Sequence, residues 1–119
     1  MTSRRDAAEL AHLLPHRFPF LFVDSIEVLE RGRLVRGTKR VTGSECLLDP
    51  ASGVPIAWPN LLALEALAQT TAGILADLED GAEGAIGYFA RMDKVKLRDP
   101  AMPGDTLVLD VELLRSRRG

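Results

Sequence analysis

One carboxylate stands in residues 55–73, PIAWPNLLALEALAQTTAG, where every other residue is uncharged. It is Glu65, four residues before Gln69, and at helical spacing the two share a face with Leu61, Leu62, Ala68 and Ala72. A carboxylate withdrawn from water on an apolar helix suits general-acid work, because desolvation favours its protonated form. It could equally hydrogen-bond a neighbour and serve structure, and the residues alone leave both readings open. Imidazoles, the usual companions of such a group, are scarce: the chain has two, His12 and His16, both near its start. His12 is expected to be exposed on a short helix. His16 follows Pro15 at a helix–strand junction and reads as a hydrogen-bonded structural histidine. Gln69 is expected to satisfy backbone groups and Trp58 to pack into the interior.

Composition narrows the classes around that carboxylate. The 119 residues suffice for one domain, 1–119, with a single core. A net charge of −2 gives no reason to expect nucleic acid, and Arg115, Arg117 and Arg118 read as a solvated basic tail. The lone Cys46 excludes an internal disulfide and a cysteine-based zinc site, and it suits a reducing cytoplasm. The first residues, MTSRRDAAEL, carry no apolar run of the kind a secretory signal needs. Residues 50–76 hold only Glu65 as a charge, yet three prolines crowd their first third and leave too short a helix to span a bilayer.

The elements that must position Glu65 follow from patterning. Residues 6–14 predict a short helix, with Leu10, Leu13 and Leu14 on one face and Pro15 as its stop. Residues 20–32, FLFVDSIEVLERG, predict a strand, and 33–43 its hairpin partner across a turn at 30–32. Residues 44–58 are broken by Pro50, Gly53 and Pro55 and predict irregular structure. A long helix is expected over 60–78, with Asn60 as N-cap and Gly81 beyond its end. Residues 83–99 predict a long strand kinked near Ala90, 101–105 a turn, and 106–114 a further strand. A helix so apolar on all sides must be wrapped by a sheet or a partner. The economical solution is α+β: a curved antiparallel sheet around one long central helix, the hot-dog fold.

Three blocks carry a family resemblance: LLPHRFPFLFVD (13–24), LEALAQTTAGILA (64–76) and GYFARMDKVKLRDPAMPGDTLVLDVELLRSRRG (87–119). Together they resemble the 3-hydroxyacyl-acyl carrier protein dehydratases of fatty-acid synthesis. The resemblance implies a hot-dog dimer, often assembled into hexamers, acting on a 3-hydroxyacyl chain borne on the phosphopantetheine of acyl carrier protein. It implies no other cofactor, no metal and no membrane or nucleic-acid partner. It also implies an active site at the dimer interface, where a histidine of one subunit faces a glutamate on the central helix of the other.

The family's glutamate carries over to Glu65, and Pro59–Asn60 hold the places of the Pro-Gly that opens its helix. The family's histidine lies about fourteen residues before that glutamate, in a Gly-His-Phe-Pro-Gly segment. Here the corresponding LLDPASGVPIAW has none. His16 belongs to the PHRFPF block and not to the catalytic motif. Tyr88 matches a tyrosine that gates the family's acyl tunnel, although it reads equally as an ordinary strand aromatic. Family members continue past RSRRG into another strand, so the sheet is expected to lack its last strand or to be completed by a partner.

Dehydration of such a thioester needs a base for the C2 proton, an acid for the departing hydroxyl and donors for the thioester oxygen. Glu65 is the expected catalytic group. The N–H groups of Asn60 and Leu61 are expected to polarise the thioester, and Tyr88 to line the acyl path. The favoured expectation is an impaired subunit that donates Glu65 to a histidine-bearing homologue in a heterodimer. Dehydratase-like hot-dog proteins of aryl-polyene and polyketide-like pathways resemble this arrangement. The alternative is a self-sufficient, divergent dehydratase, a homodimer that retains Glu65 and moves its protons with a rearranged residue. A thioesterase shares the fold and substrate and is the third reading.

Overall fold

The structure, a computed structural model, describes residues 3–78 and 90–116. Four strands form an antiparallel sheet in the order β1 (Ser3–Asp6), β2 (Ser25–Glu30), β3 (Leu34–Arg40), β6 (Thr106–Glu112). A two-stranded ribbon, β4 (Leu47–Leu48) and β5 (Pro55–Ala57), stands apart from it. Helix α1 (Ala7–Leu13) follows β1, and α2 (Asn60–Thr70) and α3 (Ala72–Leu78) run between β5 and β6. An antiparallel sheet carrying a central helix is the α+β arrangement expected of a hot-dog domain.

Helix α1 starts where local chemistry dictates. The Glu9 N–H donates to Asp6 Oδ1 at 3.0 Å and the Asp6 N–H to Glu9 Oε2 at 3.1 Å, a reciprocal capping box. The helix buries Leu10 completely and ends before Pro15. On β3 the alternation turns Val35, Gly37 and Lys39 inward and leaves Arg36 and Arg40 exposed. Arg36 faces Asp110 across the β3–β6 ladder and grips it with two hydrogen bonds, 2.7 and 3.1 Å long.

The helices press closely on this sheet. A Cβ at Gly37 would collide with the Thr70 hydroxyl and meet its methyl at 3.0 Å. One at Gly73 would meet the Ile26 side chain at 2.8 Å. Trp58, 1 % exposed, stacks edge-on against Phe22 with ring centroids 5.6 Å apart. With Leu10, Val23, Ile26, Val35, Ala66 and Ile74 they form the core.

Four sequence expectations need correction. The helix over 60–78 is interrupted at Thr71, where consecutive threonines turn their hydroxyls on the preceding turn. Thr70 donates to the Ala66 carbonyl at 2.8 Å and Thr71 to the Ala68 carbonyl at 2.6 Å. The strand expected over 20–32 begins only at Ser25, because the Gln69 side chain takes the backbone hydrogen bonds of Phe20 and Phe22 that a neighbouring strand would take. Residues 44–58 are less irregular than expected, since β4 and β5 pair within them. The long strand over 83–99 is absent from its described part. Residues 90–99 are exposed and unpaired with the sheet, and Lys94 turns the chain at φ 55°. Residues 83–89 lie outside the described residues, as does Gly81. Strand β1 was not anticipated at all: it pairs with β2 from Ser3↔Val28 to Asp6↔Ser25.

Candidate active site

Helix α2 carries the site. Pro59 precedes its first turn, and Leu62 N–H closes onto the Pro59 carbonyl at 3.0 Å. The opening N–H groups of a helix have no intrahelical acceptor, which leaves those of Asn60 and Leu61 available at the amino end. The Asn60 side chain turns away to donate to the Arg98 carbonyl at 2.9 Å, so it ties the 90–99 segment to the helix start. Leu61 is 70 % exposed and presents an apolar surface beside these N–H groups.

Glu65 lies about one and a half turns further on. Its side chain is 40 % exposed, which corrects the expectation of a buried carboxylate. The sheet covers the side of α2 that carries Ala66 and Thr70, and Gln69 is buried as well, so the helix leaves Glu65 only partly exposed. Two nitrogens approach one of its oxygens: Gln69 Nε2 donates to Oε1 at 3.1 Å, and His16 Nε2 lies in ion-pair contact with the same oxygen at 3.1 Å. No hydrogen bond to Oε2 is made by a described residue.

The segment that delivers His16 is built for the purpose by its neighbours. Pro15 ends α1. Arg17 then folds its guanidinium back over the helix terminus, donating to the carbonyls of Leu14 and His16 at 2.8 Å and of Ala11 at 3.1 Å. Gln69, 1 % exposed, fastens the rest of the segment. Its Oε1 accepts from the Phe22 N–H at 2.9 Å, and its Nε2 donates to the Phe20 carbonyl at 2.7 Å as well as to Glu65. His16 Nδ1 is buried with no hydrogen-bond partner.

Sequence reasoning placed Glu65, Asn60 and Leu61 on one helix and left Glu65 without an imidazole from its own chain. The structure puts Glu65 on α2 beyond Asn60 and Leu61, and brings His16 to it. The junction histidine was expected to be hydrogen-bonded; instead its Nδ1 has no partner and its Nε2 lies in ion-pair contact with the candidate catalytic residue. Gln69 was read correctly as a backbone partner, and its bond to Glu65 was missed. The i, i+4 spacing of Glu65 and Gln69 was the available signal. His12 is exposed, as expected. Tyr88 lies outside the described residues.

The stretch where the resemblance locates a histidine is closed upon itself. Asp49 Oδ1 accepts from the N–H of Ala51 at 2.7 Å and of Ser52 at 3.3 Å, and the Asp49 carbonyl accepts from Gly53 at 2.8 Å. Ala51, Ser52, Gly53 and Val54 are all exposed.

Beneath that ribbon lies a second polar cluster. Lys39, 4 % exposed, donates to Glu45 Oε2 at 2.6 Å, and its ammonium sits 5.5 Å from the centroid of the Trp58 ring. Burial pushes the Glu45 carboxyl up, but hydrogen bonds from Lys39 and Thr42 outweigh it and hold the group below the usual carboxylate range.

Comparison with known proteins agrees with this architecture. The FabA-like domain family matches residues 14–119. The 3-hydroxyacyl-[acyl-carrier-protein] dehydratase FabZ of Blochmanniella pennsylvanica is 45% identical over 114 residues, covering 93% of this chain and 74% of the relative. The protein of the same name from Sodalis glossinidius is 44% identical with the same coverage. That from Haemophilus ducreyi is 41% identical over 117 residues, covering 96% of this chain and 75% of the relative. With the matched region spanning most of the chain and the helix-on-sheet architecture in place, the chain belongs to the FabA-like family of hot-dog proteins.

Proposed function

We propose that the chain removes water from 3-hydroxyacyl thioesters carried on acyl carrier protein, leaving trans-2-enoyl thioesters, with Glu65 moving the protons. The observation that carries this reading is the one-sided anchoring of Glu65. Gln69 donates to Oε1 and His16 Nε2 contacts the same oxygen, while no described residue hydrogen-bonds Oε2 of the partly exposed carboxylate. The names of the relatives support the same reaction class.

In this reading the thioester oxygen sits against the N–H groups of Asn60 and Leu61, which stabilise the charge that builds as C2 loses its proton. Glu65 Oε2 accepts the C2 proton, the C2–C3 double bond forms as the C3–O bond breaks, and the departing hydroxyl takes a proton from Glu65. One water leaves and the carboxylate is regenerated. The resemblance assigns Tyr88 to the path of the acyl chain. The phosphopantetheine arm belongs to the substrate, and no other cofactor enters. The reading implies a cytoplasmic protein that meets acyl carrier protein and works as a homodimer.

A second reading rests on the self-closed 49–54 stretch, which offers no imidazole. In it the chain pairs with a histidine-bearing relative, donates Glu65 to the shared interface and keeps one working site of two. A thioesterase has less support, because the relatives are named dehydratases.

The test is enoyl-thioester formation from a 3-hydroxyacyl carrier protein, by the purified chain alone and mixed with a histidine-bearing relative. Dehydration by the chain alone, abolished in Glu65→Gln, is expected. Activity only in the mixture selects the heterodimer. Release of free acid in place of enoyl product selects the thioesterase.

A further inference from the structure

We infer that His16 is a positioning residue: with Gln69 it holds Glu65 through Oε1, so that the proton handled in the reaction resides on Oε2. The inference rests on the dehydratase reading above and assigns a part to a histidine outside the stretch that the resemblance marks.

Three observations carry it. The first is convergence. A glutamate side chain has a broad terminal torsion, so an unrestrained carboxylate exchanges its two oxygens freely. Here His16 Nε2 and Gln69 Nε2 both lie 3.1 Å from the same oxygen. The Gln69 N–H occupies one acceptor direction of that oxygen and the His16 ring crowds it from the other side, which leaves Oε2 the more open oxygen for a proton. The two contacts make the oxygens inequivalent and direct protonation to Oε2.

The second is the orphaned nitrogen. His16 Nδ1 is buried and has no partner. An imidazole placed only for structure would be expected to satisfy both nitrogens, and a buried polar atom left unpaired asks for a reason. Turning the ring so that Nε2 meets Glu65 supplies one. The same burial keeps Nδ1 from reaching substrate, and Nε2 is committed to Glu65. His16 therefore acts through the carboxylate and does not itself take the C2 proton.

The third is the investment in the segment. Arg17 donates to three carbonyls, that of His16 among them, and Gln69 fastens Phe20 and Phe22. Pro15, His16 and Arg17 thus divide the work: Pro15 stops α1, Arg17 caps it and holds the His16 backbone, and His16 reaches Glu65.

The experiment compares His16→Gln with His16→Asn in the full chain, in whichever assembly dehydrates the carrier-bound substrate. A glutamine amide can place its nitrogen where Nε2 lies, whereas asparagine is one bond too short. His16→Ala is expected to lower kcat by about 10²-fold, the scale on which small misplacements act, with KM nearly unchanged. His16→Gln is expected to recover most of that loss and His16→Asn little of it. Because the Gln and Asn variants are both polar and similar in size, their contrast stands even where the alanine variant fails to fold.

A second readout needs no turnover. In a His12→Gln background, leaving one histidine, the nitrogen resonances of His16 should report a hydrogen-bonded Nε2–H that shifts when Glu65 is replaced by alanine. Equal rates for the Gln and Asn variants overturn the inference, as does a His16 spectrum indifferent to Glu65. Either result leaves the dehydratase reading intact if Glu65→Gln is inactive. A fully active Glu65→Gln overturns that reading, and this inference with it.

Discussion

Two segments are held against the core by opposite means. Residues 15–23 are fastened by Gln69, a neutral amide that spans from α2 to the backbone of Phe20 and Phe22. Residues 43–58 are fastened by ions and rings: Glu45 pairs with the buried Lys39, whose ammonium lies over Trp58, while among the described residues the tip from 49 to 54 bonds only to itself. The first arrangement couples a loop to Glu65, because the amide that holds the loop also touches the carboxylate. The second isolates its tip from the site. A loop can therefore be ordered without being connected to chemistry, and the identity of its anchor tells which case applies.

The largest effect is expected at the amide anchor. Gln69→Leu strips the Phe22 N–H and the Phe20 carbonyl of their partner and should lower the unfolding free energy by about 3 kcal/mol. Chemical denaturation reads the loss, and hydrogen exchange should show faster exchange at the Phe22 amide. A loss under about 1 kcal/mol would mean that the segment does not depend on Gln69.

The ionic anchor should give a smaller and pH-dependent effect. Glu45→Gln leaves the buried Lys39 ammonium without its carboxylate and is expected to cost about 2 kcal/mol at neutral pH, less than a fully enclosed pair because Glu45 is partly exposed. The Glu45 carboxyl is lowered on folding, so its contribution is complete above the unfolded value of about 4.3. It is lost as the pH falls through the folded value. Melting curves of wild type and Glu45→Gln should converge in acid, while Gln69→Leu stays separated at every pH. A gap between wild type and Glu45→Gln that persists into acid would sink the ionic account.

The smallest effect belongs to the self-closed tip. Asp49→Ala removes a side-chain oxygen that accepts from two exposed N–H groups and should cost about 1 kcal/mol or less. Exchange at the Phe22 amide should not change. Were it to accelerate, the two segments would be coupled after all.

What could be read from sequence follows the same division between local and distant contacts. The cap of α1 uses Asp6 and Glu9, three residues apart, and the β2–β3 hairpin and β6 show their alternation directly. Glu65 stood out as a lone charge on an apolar helix. Its neighbours could not be read in the same way, because the contact between Phe20 and Gln69 bridges 49 positions. Only the folded chain brings His16 alongside. The strand expected through 90–99 failed for a related reason: its apolar residues suggest pairing, but Met92, Val95 and Leu97 meet no described neighbouring strand and remain about half exposed. The helix break at Thr71 was present in the pair Thr70–Thr71, whose hydroxyls compete for helix carbonyls, but helical periodicity hides such competition.

The bare spot at Gly37 has a mechanical consequence. Thr70 rests directly on it, so Gly37 acts as the seat of a lever whose arm is α2. A methyl group there would push the helix from the sheet, and Glu65, about one and a half turns from Thr70, would shift relative to His16. The reach of the imidazole is thus gauged by the thickness of a strand that never touches it.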